Sequence, residues 1–307
     1  MHFNITLITK PFTMRITVTH ISLTALLCFT LLVSSCDERM YFPSRATAPG
    51  LREQFDTKLV LSLKGQSATD GDTATHKTAT STVSPAVDFA FSPVNHLGLT
   101  FSYNGITNRA IDELGTSTNS GVFNGHRFDG GAGYYTNFGR LGFFEGYVGA
   151  GGGLLQRKSF YANSEDFTAH YTRFYLQPAA GIGNDLFMLT GGIRMALQHF
   201  TDFNAGDSLL RYKITYRDNF IGTDVTAQTF IFFEPFINFE IGYKYIKFNV
   251  QTGFSGQVAG GTIIGSFPVY VSGGIVLNFA PRFVKSGNEL PKPPGHGHHA
   301  SAHDETE

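Results

Sequence analysis

The chain has 307 residues and carries 23 Lys+Arg against 24 Asp+Glu, so a formal charge of −1 leaves no basic face for nucleic acid. Only 15% of residues are charged, while Phe supplies 30 and Gly 35. Such a chain is too rich in aromatics for a disordered polar segment, and beyond residue 35 it has no run of about 18 apolar residues for a spanning helix. Few charges with many glycines and aromatics point to sheet, and to a sheet that can face lipid.

In chain order, residues 1–35 read as a secretory signal. Met14-Arg15 opens a short basic region, and Met14 competes with Met1 as the true start. Ile21 to Val33 is an apolar core too short to span, and Ser34-Ser35 are small residues before a cut. Val33-Ser34-Ser35-Cys36 resembles the bacterial lipobox, which implies cleavage before Cys36 and acylation of its sulfur and new N-terminus. The chain has 2 Cys, and cleavage removes Cys28, so no disulfide is expected. Residues 36–54 are polar, contain Pro43 and Pro49 and show no period. They are expected to be a lipidated tether, too short to act as a plug domain.

From Phe55 to Phe279 the chain alternates apolar and polar residues ten times over, in segments centred on 59–64, 83–91, 97–104, 127–134, 144–154, 173–182, 189–198, 231–241, 246–254 and 269–279. Each approaches the roughly 9–11 residues that a tilted strand needs to cross a bilayer. Short connectors at 93–96, 137–142, 183–186 and 242–245 alternate with long ones at 65–82, 105–125, 156–168, 201–226 and 256–267. A soluble sandwich has no reason to keep that rhythm. An outer-membrane barrel keeps it, with short periplasmic turns and long extracellular loops. The predicted fold is therefore all-β, a transmembrane antiparallel up-and-down barrel of about ten strands, eight and twelve being the neighbouring counts. An even count returns both ends of the barrel to the periplasmic side, where the tether would also lie.

Asp37–Thr57, with Tyr41-Phe42-Pro43 and Pro49-Gly50-Leu51, then Lys58–Leu63, Phe232-Phe233-Glu234-Pro235 and Val276-Leu277-Asn278-Phe279 together resemble a family of lipid-anchored outer-membrane β-barrel proteins. The resemblance implies a location and a fold, and no activity.

One set of each alternating segment carries no charge and is assigned to lipid. The other is small or polar and carries Lys58, Lys64, Asp88, Arg127, Asp129, Glu145, Arg173, Arg194, Glu234, Glu240 and Lys247. Mixed charges in a narrow lumen can form a polar conduit or, as small barrels fill their interiors, a structural ion-pair filling. On this assignment, Val250→Arg on the lipid face is expected to harm assembly more than Asn249→Arg on the inner face.

His199-Phe200-Thr201-Asp202 loosely resembles the His-x-Ser arrangement of outer-membrane lipid A deacylases, with Thr in place of Ser. His199 and Thr201 share a face by strand period, but no outward carboxylate is evident to orient the imidazole. A rim His in an aromatic girdle is the bland alternative. Asp70 and Asp72 flank Gly71 in a Thr/Ala-rich loop, a faint calcium signal. Gly149, Gly151, Gly152 and Gly153 fall mid-strand, where close packing explains them. After Phe279, residues 280–307 form an expected flexible tail broken by Pro281, Pro291, Pro293 and Pro294. Its His296, His298, His299 and His303 are weak candidates for a divalent metal.

The reading is a monomeric, non-enzymatic outer-membrane lipoprotein of a Gram-negative bacterium with a structural or surface-interaction role. It contacts outer-membrane lipids through the barrel and acylated Cys36, uses no cofactor, and holds its long loops toward an unknown partner. A narrow channel and a lipid A-modifying hydrolase using His199 are the alternatives.

Overall fold

The computed structural model describes residues 39–71, 77–112, 121–159, 166–205, 229–260, 265–266 and 268–283. The elements are β1 (Arg39–Tyr41), β2 (Thr57–Gly71), β3 (Lys77–Val94), β4 (Leu97–Asp112), β5 (Gly121–Phe138), β6 (Gly142–Ser159), β7 (Phe167–Gly183), β8 (Phe187–Ala205), β9 (Thr229–Tyr243), β10 (Ile246–Phe254), β11 (Gly256–Ala259), β12 (Gly265–Ser266) and β13 (Val269–Phe279). Consecutive long strands pair antiparallel from β2 to β10, and β13 lies between β10 and β2, which closes the ring. The ten long strands form a closed antiparallel barrel, and no long strand is left with a free edge. Short β11 runs on beside β9 after β10 ends, and β1 pairs with β12 in a separate parallel patch.

Why these residues close into a barrel follows from their alternation. In β7 the burial pattern alternates almost without a break from Phe167 to Gly183, with Arg173, Tyr175 and Gln177 inward and Phe174, Leu176 and Pro178 outward. The same holds around the ring. All the charged residues assigned to the inner face, from Lys58 to Lys247, are buried, whereas Leu63, Phe128, Val148, Phe174, Ile237 and Phe248 on the other face are each more than half exposed. The molecule is thus inside-out relative to a water-soluble barrel. Exposed Phe55, Tyr134, Phe138, Tyr243 and Phe279 sit near the end where strands meet in short turns.

Three features depart from the sequence reading. Strands run deeper into the expected long connectors, so that β8 alone covers 19 residues. The inner face is not only small and polar, since Tyr135, Phe143, Tyr147, Tyr175, Phe232 and Tyr270 also point into it and are buried. The largest departure is the expected tether: residues 41–49 and Leu51 are buried inside the barrel. An extended segment without period gives no burial signal of its own, because its partners come from the surrounding wall.

Candidate functional site

The lumen is the built site of this molecule, and the chain itself occupies it. The segment Tyr41–Leu51, here the strap, contains Pro43, Ala46, Ala48, Pro49 and Gly50, residues slim enough for a narrow tube. An extended strap inside a barrel has no strand partner, yet its buried backbone groups must be paired. The wall supplies side chains instead. Gln251 acts as a surrogate strand: its Oε1 accepts from the Ala46 N–H at 2.8 Å and its Nε2 donates to the Ala46 carbonyl at 2.9 Å. Gln177 donates to the Thr47 carbonyl at 2.8 Å, Arg127 to the Phe42 carbonyl at 3.0 Å, Lys58 to the Pro49 carbonyl at 2.6 Å and Lys64 to the Pro43 carbonyl. The Gly50 N–H donates to Glu145 at 3.0 Å.

Many of the lumen's charges are also paired. Arg45 of the strap pairs with Asp88, which also accepts from the Thr47 hydroxyl at 3.1 Å, and Arg45 donates to Asn249 at 2.9 Å. Lys58 pairs with Glu240 at 2.9 Å. Arg173 pairs with Glu234 at 2.8 Å and donates to the Ser44 hydroxyl at 2.9 Å, and Arg194 donates to the same hydroxyl. Glu234 also accepts from the Tyr41 hydroxyl at 2.7 Å, while the Tyr41 ring stacks on Phe232 with centroids 3.4 Å apart. A buried charge without a partner costs several kcal/mol, so the mixed-charge lining is complementary to the strap.

Inward tyrosines fill what the strap leaves. The Tyr175 ring lies over Gly131 and Gly149, where an added Cβ would overlap it, and Gly153 makes the same room for Tyr171. Arg194 lies over the Tyr175 ring at 5.0 Å. One cavity between strap and wall, lined by Arg45, Thr47, Lys58, Asp88 and Glu240, has a volume of about 10 Å³. That is room for about one water and no solute.

At the short-turn end the strap is clasped. Phe55 and Asp56 bond Ser92 at 2.7 and 2.9 Å, Asn137 donates to the Arg52 carbonyl at 3.0 Å, and Arg52 donates to the Gly183 carbonyl. Burial and the nearby Arg282 charge hold the Arg52 guanidinium below its ordinary pKa. Arg282, just after the last strand, reaches Asp56 at 2.8 Å, Glu53 at 3.3 Å and Asp185 at 3.4 Å. Phe283 packs edge-on to Tyr245 at 5.2 Å. The first residues of the expected tail are therefore part of the clasp.

The other sequence candidates fall elsewhere. His199 is half-buried and Thr201 exposed on the outer face, sharing it as the period requires. The lumen remnant does not include them, nor does an apolar outer groove of about 470 Å³ lined by Val87, Phe89, Phe101, Tyr103 and Phe128. Asp70 is the penultimate residue of β2, while Asp72 lies outside the described residues, as do residues 1–35, Cys36 and His296, His298, His299 and His303. Among the described residues there is no group of three or more His, Cys, Asp or Glu able to hold a metal, and no helix long and apolar enough to cross a membrane, which says nothing about strands. Sequence reasoning missed Arg45, Ser44, Gln177, Gln251 and Arg282. One signal for them was present: Gln and Asn recur at inward positions of β7, β9 and β10, where a water-filled pore has no need of them.

No family model matches the chain, and no curated protein matches it. Several solved structures resemble it. The translocator domain of the autotransporter NalP from Neisseria meningitidis shares 8% identity at a TM-score of 0.45, covering 85% of this chain and 96% of that one. An outer membrane channel from Pseudomonas putida F1 shares 9% identity at 0.36, covering 77% and 100%. The transport unit of the autotransporter AIDA-I from Escherichia coli shares 9% at 0.33, covering 84% and 97%. At these identities and scores, no property of theirs is carried over to this chain.

Proposed function

We propose that the protein is a lipid-anchored barrel of a Gram-negative outer membrane, non-enzymatic and monomeric, which holds its long connectors at the cell surface while its own strap keeps the lumen shut. The inside-out polarity supports the membrane reading most directly: a closed ring exposes apolar side chains around its circumference and buries charge within. In water such an exposed surface would far exceed the few hundred Å² tolerated by a monomer. In hydrocarbon it is the expected outer face of a sheet whose backbone is fully paired. The lipobox at Val33–Cys36 supports the anchor, and Thr201, standing where the deacylase arrangement has its Ser, favours a non-catalytic role.

The filled lumen supports a scaffold over an open channel. In planar bilayers the full-length chain should give no stepwise conductance, whereas a chain lacking residues 41–51 that still assembles should give steps, because the charged wall then faces water. Stable steps from the full-length protein would favour the channel reading. A change in lipid A mass on expression, lost in His199→Ala, would favour the hydrolase.

A further inference from the structure

We propose that the chain enters the lumen at the long-connector mouth and leaves it at the short-turn end, so that Arg39 stands at the mouth opposite the C-terminal exit at Ala280, and the acyl group on Cys36 is seated in the leaflet of that opposite face. The clause about the acyl group rests on reading Cys36 as lipidated. The route itself rests on the barrel alone.

The direction of the strap is fixed at both ends and between them. At the short-turn end, the Gln54 backbone N–H donates to the Asn95 side-chain oxygen at 3.0 Å, and Phe55 and Asp56 bond Ser92. The rungs then climb the wall in order. On β2, which starts at the same end, Lys58 near its beginning serves the Pro49 carbonyl and Lys64 further along serves the Pro43 carbonyl. The strap therefore runs antiparallel to β2, with its N-terminal end farthest from the short turns. Beyond Tyr41, Arg39 pairs with Gly265 and Tyr41 with Ser266 in β12, within the connector from β11 to β13. That connector belongs to the long side.

The other end of the barrel goes the opposite way. Phe279 closes β13 opposite Thr57, the first residue of β2, and Arg282 and Phe283 pack against Asp56 and Tyr245 at the short-turn mouth. The two termini of the barrel unit thus leave by opposite mouths, although the strand count is even. Length agrees: ten steps from Tyr41 to Leu51, at no more than about 3.6 Å each, reach about 36 Å, enough for the roughly 30 Å of a hydrocarbon core. Cys36 stands three residues before Arg39, so its attachment point lies within about 11 Å of that residue, and acyl chains insert in the adjacent leaflet. The lipid and the strap then act together, one holding the outer mouth and the Arg282 clasp holding the other. The expectation that a lipidated tether lies on the same side as both barrel ends is replaced by a threaded one.

The test uses the full-length chain in its own membrane. A short epitope is inserted between Glu38 and Arg39, between Tyr216 and Arg217 in the β8–β9 connector, or after Glu307, in three separate variants. Antibody binding is compared on intact and permeabilised cells. The first two should report the same side and the third the opposite side; the first siding with the third overturns the route. Heat-modifiability on gels checks that each variant folds. Should the first insertion block folding, the cysteine pair Arg39→Cys with Gly265→Cys decides: it should cross-link, and Arg39→Cys with Pro281→Cys should not. Cross-linking of the second pair alone overturns the route. Labelled fatty acid should enter the wild type and not Cys36→Ala. Label absent from both, or equal in both, overturns the acyl clause and leaves the route to the epitope result.

Discussion

Arg45 shows how single residues of the strap are held. Its guanidinium meets Asp88 and Asn249, and Asp88 also holds the Thr47 hydroxyl, beside a cavity of only about 10 Å³. Removing one partner strands the other, which costs about 3–5 kcal/mol, whereas removing both together costs much less. Arg45→Ala should therefore lower the urea midpoint of the folded barrel by more than the double variant Arg45→Ala/Asp88→Ala does. Equal losses would show that the pair does not meet. Gly149 makes the complementary case for packing. A Cβ there would overlap the Tyr175 ring and the Gly130 carbonyl, and the carbonyl cannot rotate away. Gly149→Val should cost about 1–3 kcal/mol or more by overpacking, read as a lowered unfolding midpoint, while Gly191→Val, where an added Cβ meets nothing, should be mild.

At the scale of elements, the strands were legible because one physical rule governs each of them. A wall with lipid on one side and a polar filling on the other must alternate at period two, so Leu61, Phe89, Phe174 and Val250 separate from Lys64, Asp88, Arg173 and Asn249 on inspection. The strap was not legible, since its hydrogen bonds come from side chains on β2, β3 and β5 through β10 and leave no period along 41–51. Strand ends were read short because Thr-, Ser- and Gly-rich stretches such as 65–71 resemble loop in composition yet pair fully with β3. The filled lumen also changes an expectation. Val250→Arg should still impair assembly by about 2–4 kcal/mol if it lies near the midplane. Asn249→Arg, expected to be mild, would put a second guanidinium against Arg45 where no room exists. Both variants should lose the heat-modifiable folded band, and survival of Asn249→Arg alone would mean that the strap is absent from the lumen.

For the whole molecule, the account is of a barrel closed by its own chain, apolar outside, with a clasp at one mouth and a threaded end at the other. Ring closure alone would leave a charged tube; the strap turns those charges into partners for a backbone that has no strand beside it. The candidate site was thus half legible: its lining could be read from inward Lys, Arg, Asp and Glu, but not its occupant, which is remote in sequence from most of the lining. The most direct measurement of the central claim is amide hydrogen exchange of residues 41–51 in the folded, membrane-inserted protein. The amides of Ala46 and Gly50 donate to buried Gln251 and Glu145, so peptides covering the strap should exchange as slowly as those covering β7, and should become fast in a strap carrying Arg45→Ala. Exchange of residues 41–51 at the rate of a free chain, with β7 still protected, would contradict the account.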